Sequence, residues 1–159
     1  MIVTIVEASQ SIIKDTTDRS IKVLGDKCNL NFIDTELITD MSFMFCYSKF
    51  NGDISNWDVR NVTNMYSMFN GSKFNGGISN WNVGNVIDMR FMFKNAKFNG
   101  GISNWDVENV TNMRFMFYDS KFNGDISNWD VENVTDMKSM FYGCPLENRP
   151  EFQPKFKKE

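Results

Sequence analysis

The chain has 159 residues, a formal net charge of −3 and 42% hydrophobic content. That suffices for one domain with its own core, contains no apolar run near the roughly 18 residues of a membrane span, and lacks the clustered basic surface of a nucleic-acid binder. The three cysteines Cys28, Cys46 and Cys144 form no Cys-x-x-Cys pair and histidine is absent, which excludes a zinc site and leaves small thiols in a reducing compartment.

The opening Met1–Val6 is apolar but has no positive start and meets Glu7 at once, so it makes a poor secretory leader. Either the protein stays in the cytoplasm or a leader is missing from this chain. Residues 7–15 are predicted as a short helix, and Ser20–Leu24 alternates like a strand. Together, residues 1–29 are expected to cap a repeat array that begins at residue 30.

From residue 30 onward a period takes over. Trp57, Trp81, Trp105 and Trp129 stand 24 residues apart, each inside the phrase Phe-Asn-Gly-x-Ile-Ser-Asn-Trp-x-Val-x-Asn-Val-x-x-Met-x-x-Met-Phe. A fixed period of roughly 20–50 residues is the mark of a stacked repeat. Ile54, Trp57, Val59 and Val62 have the strand spacing of leucine-rich repeats, which turns Trp57 and Val59 inward and Asp58 and Arg60 outward. Met65, Met68 and Phe69, spaced i, i+3, i+4, predict a short helix, with Asn64 and its counterparts Asp40, Asp88, Asn112 and Asp136 as caps. Gly52, Gly76, Gly100 and Gly124 suit tight turns, Phe50, Phe74, Phe98 and Phe122 re-enter the core, and Asn51, Asn56 and Asn61 recur so that their amides can ladder along the stack.

Run backward, Leu30, Ile33, Thr35 and Ile38 align with Ile54, Trp57, Val59 and Val62 in a degenerate first coil. The expected fold is an α/β solenoid over residues 30–145, five coils of 24 residues, each with a short parallel strand and a short helix. An all-β solenoid, with the Met-x-x-Met-Phe stretch as another strand, is the alternative. Residues 146–159 hold Pro150, Pro154, Phe152 and Phe156 and, after Pro145 breaks the phrase, form a cap and tail over the last coil, with Lys155, Lys157 and Lys158 in solvent.

The phrase ISNWDVxNVTxMxxMF…KFNGD resembles the BspA-type leucine-rich-repeat surface proteins, which include the Mycoplasma lipoprotein repeats of unknown function. The opening NFIDTELITDMSFMF and the exit MFYGCPL look like that family's first and last coils. The resemblance covers residues 20–147 and implies a right-handed superhelix and a role in adhesion or protein recognition, which would put the protein at the cell surface. It transfers no catalytic residue.

On the outward side, one column reads Asp34, Asp58, Asn82, Asp106, Asp130 and its neighbour Glu36, Arg60, Gly84, Glu108, Glu132. This acidic face is the expected site for a protein partner with a basic surface, while Trp57, Trp81, Trp105 and Trp129 are structural anchors. Arg90, Arg114 and Lys138 form one cationic column on the helix side, and Lys49, Lys73, Lys97 and Lys121 another. No cofactor or metal is expected: the Gly76-Gly77 and Gly100-Gly101 doublets lack the rest of a calcium-binding nonapeptide. Nor is an enzyme, since a nucleophile would lack histidine as its base. The expected function is a monomeric, non-enzymatic recognition or adhesion module. A structural assembly unit without a specific ligand, or a cytoplasmic interaction protein of the immunity type, is the alternative.

Overall fold

The computed structural model describes residues 10–156, so the apolar opening Met1–Val6 and the lysines Lys157 and Lys158 lie outside the described residues. One α-helix, α1 (Gln10–Leu24), precedes the repeats, and two 3₁₀ turns, Pro145–Asn148 and Pro150–Phe152, come after them. The expected α/β solenoid does not form, and neither does its all-β alternative. Among the described residues there is one helix and no β-strand, only isolated parallel bridges such as Asp40↔Asn64 and Asn64↔Asp88.

Each 24-residue unit is a string of β-turns. Trp57 N–H donates to the Ile54 carbonyl at 3.1 Å and Val62 N–H to Val59 at 3.0 Å, so the four apolar residues that look like a strand are the ends of two turns. The i, i+3 spacing that closes a turn also brings both ends to one side. The Met-Met-Phe segment is no helix either. Ser67 has φ 53° and Gly71 φ 66°, and the same two places are left-handed in every unit, including Phe43, Tyr47, Phe91, Asn95, Phe115 and Asp119. An α-helix needs φ near −60° throughout, so it cannot pass through these residues. Turns close instead, Met68 N–H to Met65 O at 3.2 Å and Ser72 N–H to Phe69 O at 3.1 Å.

The left-handed residues redirect alternate N–H groups out of the unit. Met65, Ser67, Phe69 and Gly71 donate to the carbonyls of Asp88, Arg90, Met92 and Lys94 at 2.7–3.0 Å, and the same four-bond joint links each unit to the next. The expected caps play a different part. Asn64 Oδ1 accepts Tyr66 N–H at 2.9 Å, and Asp40, Asp88, Asn112 and Asp136 do likewise, each folding onto the amide two residues on.

The core is aromatic and layered. Ile54, Trp57, Val59, Val62, Met65, Met68, Phe69 and Phe74 are at most 3% exposed. Phe45, Phe69, Phe93 and Phe117 form one column with ring centroids 5.4–5.6 Å apart, and Phe50, Phe74, Phe98 and Phe122 a second at 6.1–6.3 Å. Gly52, Gly76, Gly100 and Gly124 serve this packing rather than a left-handed turn. A Cβ on Gly76 would meet the Phe74 ring at 2.8 Å, and one on Gly52 would run into the Cys28 carbonyl.

At the N-terminal end Ile13, Thr17 and Ile21, spaced i, i+4, i+8, turn one stripe of α1 onto the first unit, and Gly25 ends the helix at φ +90°. The strand expected over Ser20–Leu24 is therefore the last turns of α1, because its Ile-Lys-Val alternation is too short to outweigh the helical stripe. At the other end Leu146 is buried, and Ile126 N–H donates to the Phe152 carbonyl at 3.0 Å. No helix of the described residues is long and apolar enough to cross a membrane.

Candidate functional site

The turns 54–62 and 65–72 face each other across the core, where the Trp81 ring lies 6.2 Å from Phe69 of the preceding unit. Their outward side chains therefore occupy opposite sides of the stack. The four tryptophans are 3–4% exposed and point inward. Each indole also does something the spacing does not announce: Trp57, Trp81, Trp105 and Trp129 donate Nε1–H to the carbonyls of Leu30, Ile54, Ile78 and Ile102 at 3.0–3.1 Å. Ile33 holds the equivalent place in the first unit.

On the side of the 54–62 turns lie the expected acids. Asp34, Asp58, Asp106 and Asp130 each accept the N–H two residues on, at 3.0–3.2 Å; Glu36, Glu108 and Glu132 are exposed beside them, while Arg60 folds back onto Asp58. The columns are not uniform. Arg60 donates Nε–H to Asp58 at 2.7 Å, and this bond, aided by the adjacent charge, holds the Asp58 carboxyl below the usual range. Asn82 carries no charge, and Gly84 leaves room for the Asp106 carboxylate, which a Cβ there would approach to 3.3 Å. The structure thus brings Asp106, Glu108, Asp130 and Glu132 together in two adjacent units and separates them from Asp34 and Glu36.

The recurring asparagines anchor this side, though not as amide-on-amide ladders. Asn61, Asn85, Asn109 and Asn133 donate Nδ2–H to the carbonyls of Glu36, Arg60, Gly84 and Glu108 at 2.7–2.8 Å. Along the edge of the acidic columns runs an open groove of about 460 Å³ lined by Asn61, Thr63, Asn85, Ile87, Asn109 and Thr111. Ile87 stands 49% exposed at its centre, where neighbouring units carry threonine. No three acids or cysteines among the described residues converge as metal ligands.

The opposite side holds Arg90, Arg114 and Lys138 on turns, not on helices. Arg90 is tied to Asp88 through Nε at 2.9 Å and lies 5.0 Å from the Tyr66 ring centroid, while Arg114 lies 4.9 Å from that of Phe115. With them runs a ribbon of surface rings: Phe43, Tyr66, Phe91, Phe115, Tyr118 and Tyr142 succeed one another at centroid distances of 5.1–5.5 Å. These rings sit at places where the repeat phrase varies, so reading its fixed letters passes over them. The available signal was the number of aromatics at those variable places.

Comparison with known proteins adds one finding. Residues 18–97 and 94–153 match the model of DUF285, a Mycoplasma protein of unknown function. The chain belongs to this family. No curated protein and no solved structure matches it. The family match spans α1 from Asp18 onward, the repeats and both turns of the tail. The narrower BspA-type leucine-rich-repeat assignment gains no support, and the leucine-rich-repeat strand and helix are absent here.

Proposed function

We propose that the protein is a non-enzymatic recognition module that docks a partner with a basic surface through the side bearing the acidic columns. The observation that carries this reading is the gathering of Asp106, Glu108, Asp130 and Glu132 in two adjacent units beside the groove centred on exposed Ile87. An apolar anchor beside a charged patch is the composition of a docking surface, in which the charges steer and orient the partner and the buried group holds it. The Asx turns beneath the acids support it further. With Asp106 and Asp130 folded onto the backbone, the turns that carry Glu108 and Glu132 are held in one conformation. Resemblance of the repeat phrase to BspA-type surface proteins favours the same role, in recognition or adhesion.

For a partner captured with the intact protein, affinity should fall as salt rises, and joint replacement Glu108→Lys and Glu132→Lys should weaken it at least about tenfold, roughly 1.4 kcal/mol. Phe91→Ser and Phe115→Ser, on the opposite side, should leave it unchanged. Binding indifferent to the glutamates and lost with the rings would transfer the site to the aromatic ribbon.

A second reading, a unit of assembly, is favoured by the regular four-bond joint between units, whose two ends are chemically complementary.

A further inference from the structure

Every joint in the stack obeys one rule: four alternate N–H groups of a unit donate to four carbonyls of the unit after it. The rule leaves two unlike edges. At the first unit the carbonyls of Asp40, Ser42, Met44 and Cys46 face away from the array. At the last unit the N–H groups of Met137, Ser139, Phe141 and Gly143 do the same.

Both edges are guarded by imitation. Gln10 Nε2 of α1 donates to the Ser42 carbonyl at 2.7 Å and Lys14 Nζ to the Met44 carbonyl at 3.1 Å, so two side chains stand where a preceding unit would place backbone donors. At the far edge Glu147 Oε2 accepts Gly143 N–H at 2.9 Å and Phe156 packs on the Phe141 ring, while no described residue accepts from Met137, Ser139 or Phe141 N–H. The N-terminal guard is thinly held. Of the described residues of α1 only Ile13 and Thr17 are buried, the Thr17 hydroxyl has no partner there, and Ile12, Val23 and Leu24 are exposed. A buried hydroxyl without a partner weakens the seat it occupies.

We propose that α1 and the C-terminal tail are displaceable guards over a stacking interface whose occupant is a second copy of this chain. With the guards displaced, Met137, Ser139, Phe141 and Gly143 of one copy donate to Asp40, Ser42, Met44 and Cys46 of the next, continuing the ladder and the phenylalanine columns in register. Such contact is head-to-tail and does not close on itself, so it extends as a chain of copies. It uses the ends of the stack and is independent of the acidic side.

Two full-length variants test it, one opening each edge: Ile13→Asp, or the milder pair Gln10→Ala and Lys14→Met, at the start, and Glu147→Ala with Phe156→Ala at the end. Each alone keeps one guard and should sediment as a monomer. Mixed, they should form a one-to-one complex of doubled mass, unchanged by Glu108→Lys and Glu132→Lys. Tryptophan emission reports that each variant is folded. Folded variants that stay monomeric when mixed overturn the proposal, and so does a mixed complex that Glu108→Lys and Glu132→Lys abolish.

Discussion

Trp105 combines two functions that most core residues keep apart. Its ring fills the layer beside Phe93 and stacks on Trp129, while its indole N–H reaches back to the Ile78 carbonyl at 3.1 Å. Trp105→Ala removes both and should cost about 3–5 kcal/mol in denaturant-derived stability. Trp105→Phe restores most of the packing but removes one of the two donors to the Ile78 carbonyl, which keeps the Trp81 N–H at 3.2 Å, so a smaller loss of about 0.5–1.5 kcal/mol should persist. A loss near zero in both would mean that the indole bond and the layer contribute nothing to the stack. The thiols are quiet by contrast. Burial raises the pKa of Cys28, Cys46 and Cys144, which keeps them protonated and poorly nucleophilic at neutral pH.

Within one unit the apolar spacing specifies which side chains turn inward, but not the path of the hydrogen bonds. Ile54 and Trp57 lie three apart, and so do Met65 and Met68; a helix and a β-turn both place such a pair on one side. What separates them is the sign of φ at two places in each unit, and glycine signals it only at Gly71 and Gly143, not at Ser67, Phe91, Phe115, Asn95 or Asp119. The signal is absent there because the conformation is imposed from outside the segment. Each left-handed residue costs about 1–2 kcal/mol, offset by the bonds its neighbours make to the next unit. The acidic columns were legible as alternating outward letters. Their division by Arg60 and Gly84 into unequal halves, and the aromatic ribbon opposite, depended on how the turns bring units together. Asn95, exposed and at φ 54°, tests the argument. Asn95→Val should lower stability by about 1–3 kcal/mol, because a β-branched residue fits this region poorly, whereas Asn95→Gly should not. Equal effects of the two would remove the strain from the account.

For the molecule as a whole, acid weakens the bonds that hold these turns. Hydrogen bonds from Ser55, Arg60 and Ser127 lower the pKa of Asp53, Asp58 and Asp125 respectively. A depressed carboxyl stabilises the folded state above its unfolded pKa, near 3.9, and that contribution disappears as pH falls through the lower folded value. Thermal midpoints should therefore hold steady from neutrality to about pH 5 and drop below about pH 4. The triple replacement Asp53→Asn, Asp58→Asn and Asp125→Asn should flatten that drop, and a slope left unchanged would place the acid sensitivity in other carboxylates.

The indole bond has a direction. A tryptophan always donates to the unit before it, so the first unit needs none, and any unit placed after another inherits its acceptor ready-made from the Ile54-type carbonyl. Loss or gain of whole 24-residue blocks preserves the bonding pattern of every remaining joint, whereas a change that is not a multiple of 24 disrupts the four-bond joint at one seam. Length in such a chain is quantised: proteins built from different numbers of this unit would differ in reach but share one chemistry of contact.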